Sequence, residues 1–219
     1  MMRGLFVKDF LMMRKALLAV AVIVAAVILL MFFSAIGLWI TVYGILIFFG
    51  AAFPLIAINE DSKTRWRLYA AALPMTREEI VRARFLEMVV LTAAAAVFAT
   101  ALAMAMMVFG FEIWGDIFTS PFAGILIFSG AALICCSAAL AGIYYFGERS
   151  ATWIFLVMLV LLTNGPLFSL MFYVLALHGN LSEFLGMLES FCWVPILVSV
   201  PVIFAFYLIS VRKYVEVDL

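Results

Sequence analysis

The chain has 219 residues, with 13 basic and 13 acidic side chains in balance, so its net charge gives no indication of an acidic or basic partner. Hydrophobic residues make up 69% of it and charged residues 12%, whereas soluble domains average roughly 45–50% and about 25%. A soluble core cannot take up that excess, because a soluble domain of this size still needs a polar surface. The composition therefore excludes a soluble protein and predicts an all-α protein embedded in lipid.

The first apolar run predicts two membrane-spanning helices. Residues 16–58 contain no charged side chain, and the run is about twice as long as the ~20 residues that a helix needs to cross the bilayer. The run must therefore fold back on itself, and Ser34 and Gly37 mark the predicted turn. The first span is placed at 16–33 and the second at 37–58.

A long polar segment follows at residues 59–84. Its first half has helical spacing that places Trp66 and Tyr69 on one face. Pro74 ends this helix, because a proline disfavours helical geometry in the residue before it. An aromatic face outside the hydrocarbon favours the docking of a soluble partner; the alternative is a solvated loop that only sets the topology.

A second helix in this segment is predicted to begin at Thr76. The motif Thr-Arg-Glu-Glu at 76–79 is a capping box, in which the threonine caps the helix and the second glutamate reaches back to the threonine. The helix is predicted to continue into the third span at 85–109. Glu87 lies near the start of that span, three residues from Arg84 and within reach of the lipid headgroups.

Three more spans are predicted, at 121–146, 151–176 and 191–211. Pro121 opens the first of them, as prolines at helix starts do. The fifth span is interrupted by Asn164, Gly165 and Pro166, where the proline removes a backbone hydrogen bond and predicts a kink or break. Asn164 either lines a pathway or hydrogen-bonds a neighbouring helix.

Every basic residue falls on one side of this six-span arrangement. The Lys and Arg residues lie in the N-terminal stretch, in the segment 59–84, in the link at 147–150 and in the C-terminal tail, and the three other links contain none. Because cytoplasmic loops carry the excess of Lys and Arg, both termini are predicted to be cytoplasmic. A wrong number of spans would mix the charges between the two sides.

Several kinds of chemistry are excluded by the residues that are missing. No lysine follows a Gly-x-x-x-x-Gly loop, so the chain has no Walker A motif and is not predicted to be an ATPase or another enzyme. A single histidine excludes a His-Glu-x-x-His zinc site, and the three cysteines, Cys135, Cys136 and Cys192, are interpreted as small apolar side chains. No ionisable side chain lies deep within a predicted span, which argues against an ion-coupled transporter.

Small residues recur at intervals of four in the third and fourth spans, a spacing that lets helices approach closely. They pack either within the chain or at a dimer face. The recurring residues are Ala95, Ala99 and Ala103, then Ser137 with Ala141, and Ala138 with Gly142.

Three motifs carry a resemblance to a known family. The chain has Gly-Leu-Phe-Val-Lys-Asp-Phe at 4–10, Asn-Glu-Asp-Ser-Lys-Thr-Arg-Trp at 59–66 and Leu-Pro-Met-Thr-Arg at 73–77. In these motifs, and in its six spans with one large inner loop, it resembles the membrane subunit of ABC-2 type transporters. It looks most like the short six-span permeases of bacterial exporters of peptides such as lantibiotics and phenol-soluble modulins.

The resemblance implies that transport and ATP hydrolysis are carried out by different subunits. Such permeases have no ATPase of their own, pair as homo- or heterodimers, and dock a separate ATP-binding subunit, which carries ATP and Mg, through a coupling helix. That helix corresponds to Glu60–Ala72. Arg3–Lys15, which the residues alone leave as an interfacial helix or a charged flank, corresponds to an elbow helix. The residues assigned to ATPase coupling are Glu60, Asp61, Lys63, Arg65, Trp66, Arg67 and Tyr69.

The sequence thus predicts the permease subunit of an ATP-driven exporter in a bacterial plasma membrane. Its cargo would be an amphipathic peptide or a hydrophobic small molecule, and the chain itself would bind no cofactor or metal. Its partners would be an ABC ATP-binding subunit, a second permease and the lipid bilayer, without nucleic acid. The alternatives are a non-transporting immunity or scaffold protein of the membrane and an autonomous secondary transporter.

Overall fold

A computed structural model describes residues 39–63, 76–108, 121–147 and 189–216, with isolated positions at 14, 18, 22, 153–154, 156–157 and 186–187. The described residues form helices and turns without a strand, which confirms the prediction of an all-α protein. Four helices in this part of the chain are long and apolar enough to cross a membrane. The spans predicted at 16–33 and 151–176 lie almost wholly outside the described residues, so the count of six stays a prediction.

The four helices fall in the second, third, fourth and sixth predicted spans. In chain order they are α1 Trp39–Lys63, α2 Arg77–Val108, α3 Pro121–Phe146 and α4 Val194–Glu216.

The start of α2 is fixed by the predicted capping box, which the structure confirms. The backbone N–H of Thr76 donates to Glu79 Oε2 at 2.9 Å, and the backbone N–H of Glu79 donates to Thr76 Oγ1 at 3.3 Å. The helix then runs without a break into the third span, as predicted. Its 32 residues make it about 48 Å long at 1.5 Å per residue.

The end of α3 is set by Gly147. This glycine has a φ of +87°, a left-handed conformation that costs residues with a Cβ about 1 kcal/mol or more. Its N–H donates to the carbonyl oxygen of Ile143 at 3.0 Å, so one of the otherwise unpaired carbonyls of the last turn is satisfied.

Helix α3 is the centre of the described bundle. In its spanning part 67% of the residues are buried, against 11% in that of α4. Helix α3 also packs against each of the three other helices. Helices α1 and α2 are antiparallel, since Asp61 near the end of α1 meets Arg84 near the start of α2, while Gly50 earlier in α1 meets Ala95 further along α2.

Small residues set the closest approaches between helices. A Cβ added at Gly50 would lie 2.9 Å from the Cβ of Ala95 and 2.9 Å from the carbonyl oxygen of Leu91. The recurring small residues predicted to pack are buried within the chain at most of their positions. Those with 5% exposure or less are Ala99, Ala103, Ser137, Ala138 and Ala141.

The outward faces of α2 and α4 are apolar. Val97 and Phe98 on α2 are 70% and 59% exposed, and Val200 and Phe204 on α4 are 62% and 61% exposed. Exposed apolar area on this scale is unfavourable in water. It is the expected exterior of helices whose solvent is lipid.

Candidate functional site

The polar segment 59–84 begins inside a helix. Helix α1 continues beyond the predicted end of the second span at residue 58 and includes Glu60 and Asp61 before it ends at Lys63. The first residues assigned to the coupling helix are therefore the last turn of α1.

Two of the predicted coupling residues have described side chains. Glu60 is half-buried, and Asp61 is buried with 6% exposure. Lys63 is described only as the last residue of α1. Outside the described residues lie Arg65, Trp66, Arg67 and Tyr69, and also the predicted kink at Asn164, Gly165 and Pro166.

A buried group of three charged side chains joins α1 to α2 where this segment leaves and re-enters the bundle. Arg84 Nη2 donates to Asp61 Oδ2 at 2.6 Å, and Arg84 Nη1 donates to Glu87 Oε2 at 3.0 Å. The three side chains are between 2% and 9% exposed. We call Asp61, Arg84 and Glu87 the charged cluster.

Local structure explains why these three side chains meet. Arg84 and Glu87 lie three residues apart on α2 and so occupy the same helix face. The capping box starts α2 at Thr76, which places Arg84 about two turns into the helix. The antiparallel packing of α1 brings Asp61 to the same level and supplies the second carboxylate.

Because the charged cluster is buried, its stability depends on all three of its side chains. Charges removed from water are strongly unfavourable unless they are paired and hydrogen-bonded. Removing one partner of a buried ion pair typically costs about 3–5 kcal/mol, because the other charge is left without compensation. The cluster can therefore hold α1 and α2 in one relative position.

A second connection ties α4 to the first turns of α2. The hydroxyl of Tyr207 donates to Glu78 Oε1 at 3.2 Å, and the Tyr207 ring meets the ring of Phe85 edge to face, with centroids 5.8 Å apart. Further along, Tyr214 on α4 makes a similar edge contact with Tyr144 on α3, at 5.2 Å. The ends of α2, α3 and α4 on the predicted cytoplasmic side are thus joined by aromatic contacts.

The described residues offer no site for a metal ion. Among them, no group of three or more His, Cys, Asp or Glu side chains is placed to hold one. Cys135 and Cys136 are buried in α3, where they pack as small side chains.

Comparison with known proteins decides the family. The model of a family described as ABC-2 family transporter protein matches residues 4–215, which is nearly the whole chain. The chain belongs to this family. No curated protein and no solved structure matches it. Membership of the ABC-2 family confirms the resemblance seen in the sequence and makes the chain a multi-pass membrane component of an ABC transporter.

Membership also bears on partners. An ABC-2 permease associates with an ABC ATP-binding subunit and with the membrane, and it is not itself the ATPase. The sequence motifs indicate Asp61 as a coupling residue, but they do not indicate its pairing with Arg84. A signal was present: Arg84 and Glu87 are opposite charges three residues apart at the start of a long apolar run, which favours a pair turned toward the protein interior.

Proposed function

We propose that the chain is the permease subunit of an ATP-driven exporter. A separate ATP-binding subunit would dock on the cytoplasmic segment between α1 and α2, and a second permease, identical or homologous, would complete the pathway. The cargo is an amphipathic peptide or a hydrophobic small molecule, and the membrane is the plasma membrane of a bacterium. The family match over residues 4–215 carries this proposal.

The described helices support a mechanical route for the energy of ATP. Helix α1 extends into the segment as far as Lys63, and α2 leaves it at Arg77, so both membrane-spanning helices are direct continuations of the segment. A displacement of the segment by the ATP-binding subunit would act on both α1 and α2, because each of these helices extends into it. Switching between inward and outward access requires two packings that the partner and the cargo both bias.

The location of the charges favours this function over an autonomous secondary transporter. Within the described spans, the buried charged side chains are those of the charged cluster, at the ends of α1 and α2 that adjoin the polar segment. Ion-coupled transporters carry ionisable groups near the middle of the membrane, on the path of the ion. A cluster beside the polar segment suits a connection to a cytoplasmic partner better.

Trp66 provides the test of the ATPase interaction. Aromatic anchors commonly dominate interfaces, and truncating one costs about 2 kcal/mol or more at a hot spot, which corresponds to a loss of affinity of about 30-fold. We expect Trp66→Ala to reduce co-purification of the partner ATP-binding subunit, at equal expression in the membrane. Trp193→Ala is the matched control, because Trp193 lies just before the start of α4, whereas Tyr207 and Tyr214 make their aromatic contacts further along that helix.

Two results would count against the proposal. If Trp66→Ala and Trp193→Ala co-purify the ATP-binding subunit equally well, the segment around Trp66 is not the docking site. If the wild-type chain binds no ATP-binding subunit, the permease function fails, and an immunity or scaffold function in the membrane becomes the better explanation.

A further inference from the structure

The charged cluster connects the two ends of the polar segment. Asp61 lies near the start of that segment and Arg84 lies at its end, 23 residues later in the chain, yet their side chains meet at 2.6 Å. The residues between them include the whole stretch assigned to ATPase coupling after Asp61. The ion pair therefore closes this stretch into a loop whose base is fixed to both α1 and α2.

We propose that Arg84 is a positioning residue for energy coupling, which fastens α1 to α2 so that a displacement of the segment moves both helices together. Glu87 orients the guanidinium from one turn further along α2, and the guanidinium holds Asp61. This inference rests on the proposed function, because it concerns how movement of a docked ATP-binding subunit reaches the membrane-spanning helices.

The chemistry of the cluster is directional in a way that apolar contacts are not. A guanidinium is a planar group with donors at fixed angles, and here two different nitrogens serve carboxylates on two helices. Deeper in the bundle, α1 and α2 meet through Gly50, Ala95 and the backbone at Leu91. Such close contacts between small residues depend on van der Waals packing, which lacks the fixed donor and acceptor directions of a charged hydrogen bond.

Stability alone does not account for a buried charged cluster. Replacing a buried ion pair or triad by apolar residues of similar volume is often neutral or stabilising. Apolar side chains at these three positions would therefore serve packing at least as well. What the charged set adds to packing is a directional connection that favours one register between the two helices.

The test distinguishes a role of the cluster in positioning the helices from a role in stabilising the fold. It uses a triple variant, Asp61→Leu, Arg84→Met and Glu87→Met, in the full complex with the ATP-binding subunit. Spin labels on cysteines introduced at Val108 on α2 and Leu197 on α4, both exposed, report the distance between the two helices on the side away from the segment. The native cysteines are replaced in every spin-labelled protein. Distances are compared without nucleotide and after trapping with ADP and vanadate.

We expect the triple variant to keep its thermal midpoint and its binding of the ATP-binding subunit but to lose most of the nucleotide-dependent distance change. Asp61→Asn, which keeps the shape but not the charge, should lose the same change. Arg82→Gln is the matched control, since Arg82 is exposed on the same helix and its loss should leave the change intact.

The two proposals fail in different ways. A triple variant with the full wild-type distance change would overturn the role of Arg84 and leave the permease function standing. A triple variant that loses its thermal stability together with the distance change would also overturn it, because the cluster would then act through folding. A wild-type chain that binds no ATP-binding subunit would remove the proposed function and, with it, this inference.

Discussion

Gly130 on α3 packs directly against the backbone of Pro195 on α4. A Cβ added at Gly130 would lie 2.6 Å from the Cβ of Pro195 and 2.7 Å from the backbone nitrogen of Ile196. Real Cβ atoms essentially never come so close to other heavy atoms, and the atoms in the way belong to a proline and to the backbone, which cannot rotate aside. The central helix and the last helix are therefore in contact at a position where only glycine fits.

Gly130→Ala should destabilise the chain measurably. Overpacking in a close-packed interior typically costs about 1–3 kcal/mol, and here it would push α4 away from α3. Gly44→Ala is the control, since its added Cβ would be 3.6 Å from the ring of Phe128, an ordinary contact. Thermal unfolding of the solubilised protein compares the two, followed with a dye that reacts with the buried thiols of Cys135 and Cys136 in chains whose partly exposed Cys192 is replaced. Equal midpoints would show that the bundle adjusts at Gly130.

Loss of the capping box should loosen the start of α2. Replacing a threonine cap by alanine costs about 0.5–2 kcal/mol, so Thr76→Ala is expected to fray the first turn, whereas Thr76→Ser should keep the cap. Hydrogen exchange of the amides of residues 77–80 measures this locally. Unchanged exchange in Thr76→Ala would mean that tertiary contacts, such as the bond between Tyr207 and Glu78, hold the turn without the cap.

Gly147→Ala should destabilise the end of α3 for a reason unlike that at Gly130. An added Cβ would meet nothing within 4 Å, but the φ of +87° is strained for alanine by about 1 kcal/mol. Gly147→Asn should be tolerated better, because asparagine enters this conformation more readily. Gly186→Ala is the matched control, with equally open surroundings and no positive φ. A thermal midpoint for Gly147→Ala equal to that of Gly186→Ala would contradict the expectation.

Six spans with cytoplasmic ends predict which positions an impermeant thiol reagent can reach in intact cells. Single cysteines at Ser62, Gly115, Ser150 and Gly179, on a background without the native cysteines, should be labelled at 115 and 179 alone. The positive-inside distribution of Lys and Arg is the physical basis. Labelling at Ser62 would reverse the orientation, and labelling at Ser150 would change the number of spans.

Local signals in the sequence predicted some features well. The capping box depends on residues three apart, and the uninterrupted helix that follows it depends on an apolar run, so both could be read from the chain and are confirmed. The charged cluster could not be predicted in this way, because the pairing of Asp61 with Arg84 depends on the register between two helices, which the sequence does not show. For the same reason, the sequence does not decide whether the small residues around Ala99 pack within the chain or at a dimer face. In the structure Ala99 is buried within the chain.

The length of α2 links the charged cluster to the thickness of the membrane. If Val108 marks the edge of the hydrocarbon on the predicted outer side, a core of ~30 Å takes up about 20 residues of an upright helix and about 26 residues of one tilted by 40°. The inner boundary then crosses α2 between about residues 83 and 89, the stretch that holds Arg84 and Glu87. A thicker or thinner bilayer would shift this boundary relative to the charged cluster, so the hydrophobic thickness of the membrane is expected to influence how firmly α1 and α2 are held together.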